Sequence, residues 1–96
     1  MFVQVIEFQT SRFDEAQAAV HEYRASTKGR RTATRGVLAA DRDNPGHYVN
    51  IVFFPSYEDA MKNSEMPETQ ALAATMMALG DGPPRFHNLD VVFDEA

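Results

Sequence analysis

The residues best suited to chemistry lie in one run, GHYVNIVFFPSYEDAMKNS, from Gly46 to Ser64. Tyr48, Asn50 and Phe54 recur there at even spacing, so an extended backbone puts all three on one face. A hydroxyl and an amide set between apolar walls is the make-up of a small-molecule site. Asn63, further along the same run, is also a pocket candidate. Two more positions complete the candidate pocket. Strand alternation can turn Arg35 inward over the sheet, and His87 is the histidine best placed to act as general base on a phenolic substrate.

Each of these residues also has a plainer reading. A buried Asn50 must find partners for its amide or cost about 1–3 kcal/mol. A cross-strand bond to Gln4, Glu7 or the last strand would serve as well as a ligand. Tyr48 reads more readily as a core aromatic with its hydroxyl at the sheet edge. Nothing in the sequence marks a catalytic partner for His87, so a structural or surface role outweighs catalysis. Lys28, Arg30, Arg31 and Arg35 form a basic cluster, which reads as a solvated loop at a helix C-terminus before it reads as an anion site.

The remaining chemistry is bounded by what is missing. There is no Cys, which excludes disulfides and thiolate ligands and fits a reducing, cytoplasmic setting. His21, His47 and His87 are scattered, and no His–carboxylate pair has metal-ligand spacing, so no metal is expected. No Gly-rich nucleotide loop or nucleophile elbow occurs, and no cofactor is expected. A net charge of −5 disfavours nucleic acid and anionic membranes. The opening MFVQVIEFQT has no basic start and carries Gln4 and Glu7, so it reads as a strand. No apolar run approaches the roughly 20 residues of a membrane span.

The elements that must position these residues can be read in order. Phe2–Gln9 is apolar on both faces, as a central strand is. Ser11 is expected to cap a helix whose stripe is Phe13, Ala16, Val20 and Tyr23, ending near Gly29. Arg31–Asp41 is an extended segment with Gly36 marking a bulge or close approach. Asn44-Pro45-Gly46 turns it into a hairpin with Tyr48–Phe54. Pro55 ends that strand, and Ser56 with Asp59 starts a helix as a weak capping box. Pro67 restarts the helix after a break, with Leu72, Thr75, Met76 and Leu79 on one side, and Gly80 to Pro84 end it. Arg85–Phe93 is the last strand.

The order is β-α-β-β-α-β: an α+β, ferredoxin-like domain over 1–96 with a four-stranded antiparallel sheet. RNA-recognition modules share this order, but GHYVNIVFF lacks their basic start and spaced aromatics. Helices cover one face of such a sheet. The other face would carry Val3, Val5, Val49, Ile51 and Phe53, an apolar surface that needs a partner. A homodimer through that face is the simplest solution.

The opening MFVQVIE, the Phe54-Pro55-Ser56 passage to Ala60, the Asn63-Ser64 to Pro67-Glu68 break and the late Asp81-Gly82-Pro83 carry a resemblance. The chain resembles the dimeric α+β barrel superfamily, in its antibiotic-biosynthesis-monooxygenase-like branch, and small actinobacterial members in particular. The resemblance implies a homodimeric barrel with a pocket between sheet and helices in each subunit. It further implies a cofactor-independent monooxygenase acting on a small aromatic, polyketide-like ligand. In the haem-degrading relatives a Trp and a His stand where this chain has Phe54 and about Asn63, and strand one lacks their Asn. That haem chemistry therefore does not carry over. The alternative to an oxygenase is a non-catalytic ligand-binding or interaction protein on the same scaffold.

Overall fold

Two strands rich in Val, Ile and Phe, β1 (Phe2–Gln9) and β3 (His47–Phe54), lie side by side at the centre of the sheet. Their antiparallel register pairs Phe2 with Phe54, Gln4 with Val52, Ile6 with Asn50 and Phe8 with Tyr48. Opposed residues share a face, so these eight side chains form one surface. The computed structural model describes residues 1–95. Around the central pair stand β2 (Arg35–Ala40) beside β3 and β4 (Arg85–Asp90) beside β1, giving the order β2-β3-β1-β4. Three helices, α1 (Phe13–Ser26), α2 (Tyr57–Glu65) and α3 (Pro67–Leu79), complete a β-α-β-β-α-α-β, ferredoxin-like α+β fold.

Local chemistry sets the boundaries. His47 N–H donates to the Asn44 carbonyl at 3.1 Å, and Gly46 takes a φ of +87° at the third turn position. That is a type II turn, with Pro45 preset for the second position. At α2 the Ser56 hydroxyl accepts from the Asp59 N–H and donates to its carboxylate, both at 3.1 Å. A cap of this kind contributes about 1 kcal/mol. Pro67 opens α3, where its missing N–H has no partner to lose.

Four expectations need correction. Ser11 does not cap α1. The N-cap is Arg12 without a side-chain cap, and the Thr10 hydroxyl accepts from the Arg12 N–H at 2.9 Å. Residues 31–34 lie outside β2: Arg31 N–H bonds to the Thr27 carbonyl and Thr32 donates its hydroxyl to the Asp59 carbonyl, and only at Thr34 does the chain turn to β3, donating to the Phe53 carbonyl. Gly36 is neither a bulge nor a close approach. It pairs regularly with Val52, and an added Cβ would meet nothing within 4 Å. The last strand stops at Asp90, opposite Phe2, the first residue of β1. Val91 makes one more bond, to Met1, and Val92 and Phe93 are 95% and 78% exposed.

The helices cover the face of Phe2, Ile6, Val52 and Phe54. Phe2, Phe54 and Ala60 form the buried centre, with Ala33, Val52 and Met61 against them. Tyr57 meets Phe2 edge-on at 5.4 Å. The opposite face carries Val3, Val5, Val37, Val49, Ile51, Phe53 and Leu89, and no helix of this chain packs over it.

Candidate functional site

Above the middle of the helix-covered face the layers part into a cleft of about 240 Å³. β1 contributes Gln4 and Ile6, β2 Leu38, and β3 Asn50, Val52 and Phe54. Val20, Tyr23 and Arg24 come from α1, Asn63 from α2, Thr69 and Leu72 from α3, and Arg31 from the loop after α1. Ile6, Val20, Leu38, Val52, Phe54 and Leu72 make the walls apolar. The amides of Asn50 and Asn63 enter from opposite sides, sheet and helix.

Asn63 is 8% exposed, and its Nδ2 donates to the Tyr23 hydroxyl at 3.3 Å. That hydroxyl is 2.8 Å from Thr69 Oγ1, so the three side chains form a chain across α1, α2 and α3. Asn63 Oδ1 is buried without a partner. Turning the amide over would satisfy the oxygen and orphan the nitrogen, so one half of this amide is unpaired either way. Asn50 differs from the cross-strand expectation. Among the described residues its side chain makes no hydrogen bond to Gln4, Glu7 or the last strand: Gln4 donates to Asn88 of β4 at 3.3 Å, and Glu7, on the opposite face, holds His87 of β4 at 2.7 Å.

Not all six candidates converge. Asn50, Phe54 and Asn63 line the cleft together. Tyr48 does not: it stacks on Phe13 at 4.1 Å and Phe8 at 5.5 Å, one end of the sheet away. Arg35 borders the cleft at the β2 edge, yet its guanidinium lies 5.6 Å from the centre of the Phe53 ring. Phe53 belongs to the uncovered face, because alternation turns it away from Phe54. His87 pairs with Val5 and so faces the same uncovered side, where Glu7 holds it. Both corrections have one cause: a slip of one residue in a strand changes the face.

Tyr23, Arg31 and Thr69 were not singled out as pocket residues. Tyr23 stands on the apolar stripe of α1, where a phenol reads as core. Thr69 carries no signal in the sequence, and Arg31 shows there only as one member of a basic cluster, since their positions depend on how three helices meet. Beside the cleft, Arg30 bridges to Glu68 at 2.6 Å and to the Ser26 carbonyl at 2.7 Å. The hydrogen bond from Arg30, first, and the Glu68 backbone N–H, second, hold the Glu68 carboxyl below the usual range.

A wider depression, about 460 Å³, opens at the hairpin end of the sheet among Tyr48, His47, Asp41, Asp81 and Arg85. Charged and turn residues ring it. It lacks the convergence of apolar walls and polar tips that marks a ligand site. Among the described residues no group of three or more His, Asp or Glu could hold a metal ion, and no helix is long and apolar enough to cross a membrane.

No family model matches the chain. No curated protein matches it either. Solved structures do. SnoaB from Streptomyces nogalater, a cofactor-independent oxygenase, superposes with a TM-score of 0.84 at 16% identity, over 97% of this chain and 94% of that one. An antibiotic biosynthesis monooxygenase aligns with a TM-score of 0.79 at 17% identity, over 96% and 99% of the two chains. Rv0793 from Mycobacterium tuberculosis aligns with a TM-score of 0.79 at 17% identity over 100% of both. At such identities the likeness establishes a shared fold: this chain has the ferredoxin-like α+β architecture of the antibiotic biosynthesis monooxygenase structures.

Proposed function

We propose that this chain is a monooxygenase that needs no cofactor and acts on a small aromatic substrate in the sheet–helix cleft. The observation that carries this reading is the Asn50 amide, set in an apolar cleft while its expected partners are bonded elsewhere. SnoaB, similar in fold, is a cofactor-independent oxygenase, which supports the same class of reaction.

In such a reaction the substrate supplies the electrons. A naphtholate carries negative charge at the ring carbon para to its oxygen, and that carbon gives electrons to O₂ as the C–O bond forms. The peroxide takes up the proton the naphthol gave up, and cleavage of its O–O bond releases hydroxide, which leaves with the ring proton as one water and gives a quinone. The balance is one naphthol and one O₂ to one quinone and one water. An amide N–H from Asn50 aimed at the substrate oxygen would favour the anion before and during oxygen addition. The apolar walls exclude water and strengthen that bond.

A second reading is a ligand-binding protein without chemistry. It is favoured by the cleft lining, which holds no His, Asp or Glu to remove a proton. Oxygen uptake with 1,5-dihydroxynaphthalene, followed with quinone absorbance, separates the two. The oxygenase reading expects protein-dependent uptake of one O₂ per quinone, reduced at least about tenfold by Asn50→Ala, the usual scale for one stabilising donor. Binding without uptake supports the second reading. Turnover unchanged in Asn50→Ala removes Asn50 from the mechanism.

A further inference from the structure

The charge of the cleft runs against that of the molecule. The chain carries 14 acidic residues and a net charge of −5. None of those acids lines the cleft, whereas Arg24, Arg31 and Arg35 do. Their situations differ. Arg24 is exposed to solvent. Arg35 lies over the Phe53 ring. Arg31 is half-buried, and its Nε is shut off from solvent with no hydrogen-bond partner. The ion pairs among the described residues are Arg12–Glu15, Arg30–Glu68 and Glu7–His87, so Arg31 has no carboxylate of its own. The acid that opens α3 nearby, Glu68, gives its Oε2 to Arg30 and makes no ion pair with Arg31, and its Oε1 is buried without a partner.

A guanidinium stays charged at any pH the protein meets. Partly desolvated and unpaired, it is costly until an anion compensates it. The planar fork of Arg matches a carboxylate in two parallel hydrogen bonds. The volume of about 240 Å³ lies below the roughly 300–1,000 Å³ of drug-sized sites, which restricts the ligand to a compact skeleton.

We propose that the cleft takes its ligand as a carboxylate, with Arg31 as the partner of the anion and the Ile6–Val52–Leu72 walls around a compact ring. Arg31 is thus a specificity-determining residue for acids. The inference rests on the cleft being the ligand site and adds the chemical class of what enters it. It does not require that the ligand react.

Isothermal titration with 2-naphthoate and its neutral isostere 2-naphthamide tests it on the wild-type chain. The acid is expected to bind at least about tenfold more tightly, the scale of one charge-assisted contact. Arg31→Gln should abolish that preference and leave amide binding unchanged, while Arg24→Gln, at the solvated rim, should shift the acid less than about threefold. Equal affinity for the two probes, or a preference that survives Arg31→Gln, would overturn the anion inference and leave the cleft as a binding site. Binding of neither probe would overturn both. The comparison of the two probes on the unaltered chain does not depend on how the variants fold.

Discussion

At the scale of single residues, the cleft is a problem of unpaired polar groups. Asn63 Oδ1 and Arg31 Nε are buried without a partner, and Asn50 reaches the same cleft. Buried polar groups left without partners are costly, so two at one small cavity point to something that binds there. Tyr23 is the counterweight, since its hydroxyl holds both Asn63 and Thr69. Tyr23→Phe removes that hydroxyl and strands the Asn63 nitrogen as well as its oxygen. We expect a loss of about 1–3 kcal/mol, read as a lower urea midpoint with an unchanged slope. Asn50 was legible in the sequence because an amide in a Val-Ile-Phe strand is conspicuous. Arg31 was legible only as one of a basic cluster, because a loop arginine looks the same whether it faces water or a cavity.

At the scale of elements, three helices must be held against one sheet face for the cleft to exist. The capped start of α2 fixes one wall. The contact between the loop after α1 and the start of α3 fixes another, and the Arg30–Glu68 pair is part of it. An acid whose carboxyl titrates lower in the folded chain adds stability above its unfolded value and loses it as the pH falls through the folded value. Glu68 is such an acid. Thermal midpoints should therefore decline on acidification below the ordinary Glu value of 4.5, and Glu68→Gln should flatten that decline. Both partners are largely solvated, so the change should be small and should fade with added salt. A steeper acid slope in the variant would contradict this account. Helix and strand identities were readable from caps, prolines and stripes, whereas strand ends were not. β4 ends at Asp90, opposite Phe2 at the start of β1, a fact of the register and not of residues 91–93.

For the whole molecule, the uncovered sheet face is the dominant feature. Val5, Val37, Ile51, Phe53 and Leu89 lie on it beside Val3, and the buried apolar residues among those described are Phe2, Ala16, Phe54, Ala60 and Val3 itself. A core this thin gains most from a second apolar surface. A second copy of the chain supplies one that is self-complementary about a twofold axis. Sedimentation equilibrium is expected to give twice the chain mass, and Ile51→Asp, which sets a charge in the middle of that face, should shift it to the monomer. A wild-type mass equal to one chain would refute this arrangement.

Taken alone, the sequence determined the order of elements, the central position of β1 and β3, and the turn at Asn44-Pro45-Gly46. These follow from local propensity and from apolar patterning, which act over a few residues. It also marked Asn50 and Phe54 as sharing one face, since alternation is a property of any strand. Only the tertiary structure decided that Tyr48 stacks with Phe13, that Arg35 and His87 serve the other face, and that Tyr23, Asn63 and Arg31 meet over the sheet. Those outcomes depend on register and on where helices cross, and a one-residue change in either moves a side chain from cleft to surface.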